Sequence, residues 1–269
     1  ALGADIGVIG EGELTMCELA GALDGNKSYD SIDGLIFPDN ENEWIRTNPR
    51  KEIADLDSIP FPDFEGFNYQ QYASAQGGLV VGSRSCPFSC TYCFHPSGNK
   101  YRQRSLDNVF KEIEYQIENF NINAFGLTEE LFSAKQERIE AFCDRVKDYN
   151  INWVCALRVS DVTLPVLQKM KASGCEAICY GLESADDNVL KSMKKKITVA
   201  EIEKALKHTY EAKIRVVTQF IFGDIEETPA SVERTLKFWR KHNMQSEISM
   251  NMIIPYPGSF LYTYACEKG

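Results

Sequence analysis

The sequence predicts an α/β protein whose larger part, residues 78–269, is a partial barrel of six βα units. Two observations support this fold class. From residue 78 onward, short apolar segments alternate with amphipathic ones, which is typical of a parallel sheet covered by helices. Helix-capping residues also lie at the starts of the amphipathic segments. Consecutive units of this kind, joined by right-handed crossovers, curl the sheet into part of a barrel.

Residues 1–25 are predicted to form a strand and a helix that precede the barrel. The apolar run from Ile6 to Ile9 predicts a buried strand, and a glycine-rich turn leads into the helix. The helix has one apolar face, formed by Met16, Leu19, Ala20 and Leu23. Such a strand normally lies in a parallel sheet covered on both faces, so we expect its partner strands in an upstream α/β domain that this chain lacks.

Residues 26–77 are predicted to connect the first element to the barrel. The segments IDGLIF and EWIRTN flank turn residues at 38–42, which predicts a β-hairpin. The segment DLDSIPFPDFEGF follows, and its two prolines favour an extended course. We therefore expect a hairpin and a proline-containing linker between the two domains.

The barrel segment, residues 78–269, has strand and helix signals in regular order. Strands are predicted at residues 79–83, 124–128, 153–157, 177–181, 216–222 and 248–254. Helix boundaries are marked by Ser105, Thr163, Gly174 and Thr228 with Pro229, and by two predicted capping boxes, Ser133 with Gln136 and Thr198 with Glu201. Ligand chemistry in such a sheet belongs at the carboxyl ends of the strands.

Composition narrows the class of function. The chain has 269 residues, of which 43% are hydrophobic and 25% charged, and a formal net charge of -10. This charge argues against binding to nucleic acid, and the longest apolar runs are too short to span a bilayer. The basic run MKKKIT at 193–198 is expected to be a solvated helix end. Nine cysteines, an odd number without a paired framework, favour a reducing, cytoplasmic location.

The segment SRSCPFSCTYCFHP, residues 83–96, places Cys86, Cys90 and Cys93 within eight positions. Thiolates bind zinc or iron-sulfur clusters. A structural zinc site normally takes four protein ligands, and His95 could supply the fourth only in a strained position before Pro96. A [4Fe-4S] cluster held by three cysteines leaves one iron open to a cofactor or substrate. The spacing therefore favours a cluster, with zinc as the alternative.

CPFSCTYC resembles the CxxxCxxC motif of radical S-adenosylmethionine (SAM) enzymes, including an aromatic residue, Tyr92, before the last cysteine. The resemblance implies that Cys86, Cys90 and Cys93 hold a [4Fe-4S] cluster whose open iron binds the amino and carboxylate groups of SAM. It also implies that one electron cleaves SAM to methionine and a 5'-deoxyadenosyl radical, which takes hydrogen from substrate. An electron donor such as flavodoxin or ferredoxin is implied as a partner.

Segments at the later strand ends resemble the same family in the same order. LTEELF, with Glu129 and Glu130, resembles the acidic segment that meets the SAM amino group, and ALRVSDVT resembles the segment containing Arg158. SGCEAICYGLESAD resembles the segment in which Glu183 and Ser184 would lie near the ribose and methionine. IFGDIEET, with Gly223, resembles the glycine motif near adenine, and IIPYPGSFLY, with Pro255, resembles the sixth-strand segment. The charged residues have an alternative role as helix-terminal charges or ion pairs.

The opening ADIGVIGEGELTMCEL resembles the last strand and helix of the cobalamin-binding, Rossmann-like domain in one branch of this family. The resemblance implies a cobalamin held mainly by the missing upstream domain, and methylation of carbon or phosphorus in a small-molecule or peptide substrate. The alternatives are a cobalamin-free oxidative cyclase or rearrangement enzyme, a methylthiotransferase, and a non-catalytic zinc-stabilised binding module. Methylthiolation is disfavoured because no further cysteine triplet precedes the motif.

Overall fold

The computed structural model describes residues 3–25, 28–39, 41–242 and 246–268. In chain order the strands are β1 Gly7–Val8, β2 Leu35–Pro38, β3 Trp44–Arg46, β4 Gly78–Val80, β5 Ser83–Arg84, β6 Arg102–Gln103, β7 Ala124–Leu127, β8 Asn152–Leu157, β9 Cys175–Glu183, β10 Arg215–Phe222 and β11 Ser246–Met252. The helices are α1 Gly12–Asp24, α2 Tyr69–Gln76, α3 Leu106–Phe120, α4 Gln136–Val146, α5 Leu164–Ala172, α6 Asp187–Ser192, α7 Val199–Glu211, α8 Pro229–His242 and α9 Phe260–Lys268. Short 3-10 helices lie at Leu56–Ser58, Lys147–Tyr149 and Val159–Asp161.

A six-stranded parallel sheet organises the larger part of the molecule, in the order β11-β10-β9-β8-β7-β4. Each of its strands is followed along the chain by at least one helix. The six predicted βα units are therefore confirmed, in the predicted order. One face of the sheet packs on the helices through large buried side chains such as Trp153, Phe142 and Phe125. The other face remains available for ligands.

The first barrel strand is shorter than predicted, because the chain leaves the sheet after Val80. Residues 83 and 84 instead form β5, which pairs antiparallel with β6. The backbone N–H of Arg104 donates to the carbonyl of Gly82 at 3.0 Å, which fixes the point of departure. The segment between β5 and β6 contains the three closely spaced cysteines, so this strand pair holds both ends of the cysteine loop.

Most of the predicted helix boundaries are confirmed. Ser105 accepts from the backbone of α3, and Thr198 with Glu201 forms a complete capping box on α7. The predicted box of Ser133 with Gln136 is wrong: α4 starts at Gln136, and Ser133 accepts from the N–H of Lys135 at 3.0 Å in a local turn. Thr163 occupies the cap position of α5 without a side-chain hydrogen bond.

The N-terminal strand pairs differently from the prediction. β1 lies antiparallel to β2, and β2 lies antiparallel to β3, so the predicted hairpin supplies the partner of the first strand. Asn40, in the hairpin loop, lies outside the described residues. The helix α1 covers this sheet and forms a small core with it, which comprises Leu19, Ala22, Ile32, Leu35 and Phe37.

The buried face of α1 also differs from the predicted one. Thr15, Leu19 and Ala22 are buried, whereas Met16 and Leu23 are 52% and 57% exposed. The hydroxyl of Thr15 donates to the carbonyl of Asp33 at 3.1 Å and thereby draws this side of the helix onto the sheet. Leu19 belongs to the predicted face and is buried, but hydrophobicity alone placed the rest of that face wrongly because it gives no weight to a buried threonine.

The strand β11 lies at one edge of the six-stranded sheet, next to β10. Its register places Met250 beside Phe220 and Met252 beside Phe222, on the face that carries helices elsewhere. Met250 and Met252 are nevertheless exposed, as is Ile254 just beyond the strand. Within the ranges described above, no helix combines the length and apolarity needed to cross a bilayer.

Candidate cofactor site at the cysteine loop

The cysteine loop is fixed by contacts with distant segments at its midpoint. The N–H of Thr91 donates to the carbonyl of Met193, after α6, at 3.0 Å. The carbonyl of Thr91 accepts from the N–H of Leu261, in α9, at 2.9 Å. Because Thr91 lies between Cys90 and Cys93, both thiols are held in place by the fourth and sixth units of the barrel.

Cys86, Cys90 and Cys93 line one cavity of about 380 Å³, which we call the cysteine cavity. All three are free thiols. A hydrogen bond from Cys93, together with the positive charges of Lys195 and Arg158, lowers the pKa of Cys90 to about 6. The same hydrogen bond and burial raise the pKa of Cys93, and burial raises that of Cys86. A thiolate at Cys90 is the form that binds metal.

A buried polar group forms the wall opposite the cysteines. The ammonium of Lys195 donates to Glu183 Oε1 at 2.7 Å and to the hydroxyl of Tyr92 at 3.3 Å. Lys195 is 7% exposed and Glu183 4% exposed, and all three side chains line the cysteine cavity. Glu183 Oε2 has no hydrogen-bond partner among the described residues. This oxygen can therefore accept a hydrogen bond from a ligand.

The position of Glu183 depends on the end of β9. The register between β9 and β10 shifts by one residue there, so Gly181 pairs with Gln219 and Glu183 with Phe220. A bulge of this kind re-aims a side chain at a strand end. Glu183 also adopts a positive φ of 64°, which is uncommon for a residue with a side chain. A Cβ atom at Gly181 would collide with Glu183 Oε1, so a larger residue there would displace the carboxylate.

Arg158 follows β8 and closes another side of the cysteine cavity. Its guanidinium lies 3.7 Å from the ring centroid of Phe88, inside the cysteine loop, and donates to the backbone carbonyl of Lys195. Arg158 is buried, and its Nε has no partner among the residues that the structure describes. The cation-π contact joins the third barrel unit to the cysteine loop.

Of the two predicted acidic residues after β7, only Glu130 lines the cysteine cavity. Its carboxylate lies 2.5 Å from His95 Nδ1. Glu129 is buried at 6% exposure and lines a neighbouring polar cavity instead. Burial raises the pKa of Glu129 to about 7. Of the pair, Glu130 is therefore the one that reaches the cysteines.

The remaining predicted site residues surround the cysteine cavity without lining it. Ser184 is buried beside Glu183, with its hydroxyl 3.4 Å from that of Thr235 in α8. Gly223 follows β10, has a φ of 106° and donates to Glu227 at 2.6 Å. Pro255 lies in the segment after β11, between Ile254 and Tyr256. Those two neighbours line a further cavity of about 360 Å³ that shares Tyr92 and Ile221 with the cysteine cavity.

Lys195 is the main residue that sequence reasoning missed, and the expectation of a solvated helix end is wrong for it. Burial alternates along this irregular segment, in which Lys194 and Lys196 have positive φ values of 52° and 54°: Met193, Lys195 and Ile197 are buried, whereas Lys194 and Lys196 are exposed. The available signal in the sequence was that apolar residues, Met193 and Ile197, lie two positions before and two positions after Lys195.

Arg102 connects the cysteine loop to the N-terminal segments. It donates to both carboxylate oxygens of Glu11 at 2.9 Å, and to the carbonyls of Ile53 and Ser97 at 2.6 Å. Arg84, two residues before the first cysteine, also donates to Glu11 at 2.7 Å. Glu11 therefore links the turn before α1 to both strands that hold the cysteine loop.

Comparison with known families agrees with this geometry. The family model described as the Radical SAM superfamily matches residues 80–238, which is more than half of the chain. The chain belongs to the radical SAM superfamily. The match begins in β4, ends in α8 and contains the cysteine loop, so it covers most of the partial barrel.

Curated relatives of this radical SAM chain include two enzymes that match nearly all of it. An uncharacterized methyltransferase of Pyrococcus horikoshii is 31% identical over 97% of this chain and 58% of its own length. An anaerobic magnesium-protoporphyrin IX monomethyl ester cyclase of Cereibacter sphaeroides is 29% identical over 96% of this chain and 44% of its own length. The chain thus spans about half the length of the curated relatives it matches.

Solved structures confirm the predicted radical SAM type of partial barrel. The radical SAM methyltransferase TsrM from Kitasatospora setae, with cobalamin and a [4Fe-4S] cluster bound, superposes with a TM-score of 0.84 at 18% identity. That match covers 98% of this chain and 54% of the other. The cobalamin-dependent enzyme OxsB gives a TM-score of 0.75 at 20% identity, over 95% of this chain and 38% of the other. These likenesses show a shared fold that includes the segment before the barrel.

Proposed function

We propose that this chain is the catalytic core of a radical SAM enzyme that binds a [4Fe-4S] cluster through Cys86, Cys90 and Cys93. The observation that carries the proposal is that these three thiols line one cavity with Glu130, Glu183 and Lys195. The donor set fits the cluster, because three thiols line one cavity and the lowered pKa of Cys90 favours a thiolate ligand there. When bound, the cluster supplies the electron that cleaves SAM to methionine and a 5'-deoxyadenosyl radical.

The chain's own side chains would hold the polar groups of SAM. Glu130 can accept from its amino group, and Lys195 can donate to its carboxylate. The free oxygen of Glu183 can accept from a ribose hydroxyl. These roles follow from charge and hydrogen-bonding capacity, and Tyr92 supports them through its contact with Lys195.

The outer parts of the site would bind the adenine and exclude water. The cavity lined by Ile221, Ile254 and Tyr256 is largely apolar and adjoins the cysteine cavity, so it suits a purine ring. Gly223 and Pro255 would shape its rim, and Ser184 would position Glu183 from behind. Arg158, over the ring of Phe88, would close the side next to the cysteines.

The first experiment tests the cluster. The protein is reconstituted with iron and sulfide without oxygen, and electron paramagnetic resonance spectra are recorded with and without SAM. We expect a reduced cubane signal that SAM changes, and 5'-deoxyadenosine after reduction. Cys90→Ala should lose both, whereas Cys17→Ala, at an exposed cysteine outside the loop, should keep both. Stoichiometric zinc without iron in protein never exposed to air would contradict the proposal.

For the whole protein we propose cobalamin-dependent methylation of carbon or phosphorus. Its support is the methyltransferase among the curated relatives and the likeness to TsrM and OxsB across the segment before the barrel. Methyl transfer from SAM must leave S-adenosylhomocysteine, by balance of atoms. We therefore expect the full-length protein to bind cobalamin and to form both S-adenosylhomocysteine and 5'-deoxyadenosine during turnover.

Oxidative cyclisation is the second candidate, since a ring-forming cyclase is 29% identical over almost the whole chain. A cyclase would form 5'-deoxyadenosine without S-adenosylhomocysteine. The ratio of these two products, measured by liquid chromatography, separates the candidates while leaving the cluster assignment intact.

A further inference from the structure

Two further cavities continue from the cysteine cavity along the first barrel strand. The polar cavity, about 390 Å³, shares Pro96 and Glu130 with the cysteine cavity. The apolar cavity, about 600 Å³, shares Val81, Thr128 and the ion pair of Glu13 with Arg84 with the polar cavity. The strand leads from one to the next, because Leu79 lines the apolar cavity, Ser83 the polar cavity and Cys86 the cysteine cavity. The three cavities therefore lie next to one another, with shared wall residues between the apolar and polar cavities and between the polar and cysteine cavities.

The apolar cavity has rigid aromatic walls. Its outer wall is the proline-containing linker, where Phe64 stacks on Tyr69 at 3.6 Å between ring centroids and Phe61 lies 5.5 Å from the guanidinium of Arg104. Another wall is β4 with the residue that follows it: Leu79 is 52% exposed and Val81 42% exposed. A volume of this size is typical of sites for small molecules. The apolar body of a ligand could cover Leu79 and Val81.

All but one of the acidic side chains that line the polar cavity contact a basic side chain. Glu11 and Glu13 bind Arg84, and Glu130 contacts His95. Neither carboxylate oxygen of Glu129 has a hydrogen-bond partner among the described residues, although Glu129 is more than nine-tenths buried. A buried carboxyl group without a partner is costly, so a ligand that donates to it or carries a positive charge gains affinity.

We infer that the apolar and polar cavities together bind an amphipathic amine, with its apolar body between Leu79 and Phe61 and its nitrogen at Glu129. This site rests on the proposed function and deepens it, because its position next to the cysteine cavity would make the amine the substrate of the radical reaction. Among the described residues, the apolar cavity shares no lining residue with the cysteine cavity, whereas the polar cavity shares two, so the apolar body would lie farther from the cysteines than the nitrogen does.

The test uses dansylcadaverine, a naphthalene dye joined by a five-carbon chain to a primary amine, and the same dye with its amine acetylated. Binding to the reconstituted protein is followed by dye fluorescence without reductant or SAM. We expect the amine to bind about tenfold more tightly than the acetylated dye, the effect of one charged hydrogen bond.

Three variants test whether the dyes bind at the proposed site. Glu129→Gln should weaken the amine about tenfold and leave the acetylated dye unchanged, since only the charged contact is lost. Leu79→Arg, at a half-exposed position, should weaken both dyes. Glu118→Gln, at an exposed acid on α3, should weaken neither. Circular dichroism on each variant checks that the fold is kept.

Equal affinity for the two dyes, or an unchanged affinity in Glu129→Gln, would overturn the assignment. Absence of dye binding to the folded protein would do so as well. Cluster content and 5'-deoxyadenosine formation are measured on the same preparations. If the dyes fail to bind but the cluster and 5'-deoxyadenosine are present, the amine site is wrong and the proposed function stands.

Discussion

At the scale of single residues, Lys195 determines how the cysteine cavity is charged. We expect Lys195→Met to weaken SAM binding at least about tenfold, because Glu183 would lose its partner and the cavity its ammonium. Calorimetric titration of SAM into the reconstituted protein measures the effect. Lys195→Arg should retain much of the affinity.

Lys194→Met is the matched control for this change. Lys194 is the adjacent residue, is exposed, and contacts the ring of Phe260 at 4.9 Å instead of the cavity. Its replacement should leave the SAM affinity unchanged. Equal effects of the two lysine variants would show that net charge, and not the contact with Glu183, governs binding.

Glu129 is expected to make stability depend on pH. Burial raises its pKa to about 7 in the folded protein, so the unfolded chain loses this proton at a lower pH than the folded one. The contribution of Glu129 to the free energy of unfolding is therefore fully present below its pKa in the unfolded chain. It is lost as the pH rises through that value toward the folded-state pKa of about 7. The Glu129→Gln variant has no carboxyl group at this position, so it does not lose this contribution as the pH rises. The free energy of unfolding of the variant, relative to the parent, should rise by about 3 kcal/mol between pH 4 and pH 8.

Urea denaturation at a series of pH values measures this difference. The charges near Glu129 are Arg138 and Arg104, with the phenol of Tyr101, and none of these three titrates ordinarily between pH 4 and 8. A difference that stays constant over the range would mean that the pKa of Glu129 is not raised in the folded protein.

At the scale of elements, two helix starts provide a matched comparison. Thr198 accepts from the backbone of α7 in a complete capping box, whereas Thr163 caps α5 without a side-chain bond. Thr198→Ala should lower the free energy of unfolding by about 1 kcal/mol, and Thr163→Ala by clearly less. Chemical denaturation of both variants gives the result, and equal losses would mean that the hydroxyl bond contributes nothing measurable.

The contact between the N-terminal turn and the cysteine loop makes a further prediction. Arg102→Met leaves the buried carboxylate of Glu11 short of a partner, so we expect a loss of about 3–5 kcal/mol in the free energy of unfolding. Iron content after reconstitution should fall as well, because β6 holds one end of the cysteine loop. Arg46→Met, at an exposed position on β3, should change neither quantity. Full iron content in a destabilised Arg102 variant would show that Arg102 stabilises the fold but is not needed to hold the cysteine loop in shape.

At the scale of the whole molecule, the barrel could be predicted because its signals are local. Alternation of apolar and amphipathic segments, with caps such as Ser105 and Thr198, depends on residues close in sequence. The cysteine spacing is equally local, and the structure gathers those thiols in one cavity. The family and its fold follow from these patterns.

The features that the sequence did not predict all depend on distant contacts. The partner of β1 lies more than twenty residues away, in a hairpin that could equally have stood apart. Lys195 is buried because Glu183 and Tyr92 receive its ammonium, and lysine composition alone gives no sign of this. Glu130 reaches the cysteine cavity and Glu129 does not, although the two are neighbours in sequence and both line the polar cavity.

The edge strand β11 has a practical consequence for anyone who purifies this chain. An unpaired strand edge beside exposed Met250, Met252 and Ile254 is a template on which a second molecule can add a strand. Preparations of this polypeptide should therefore form dimers and larger aggregates as they are concentrated. A lysine on this outward surface, at Met252, should keep the sample monodisperse at concentrations at which the parent precipitates.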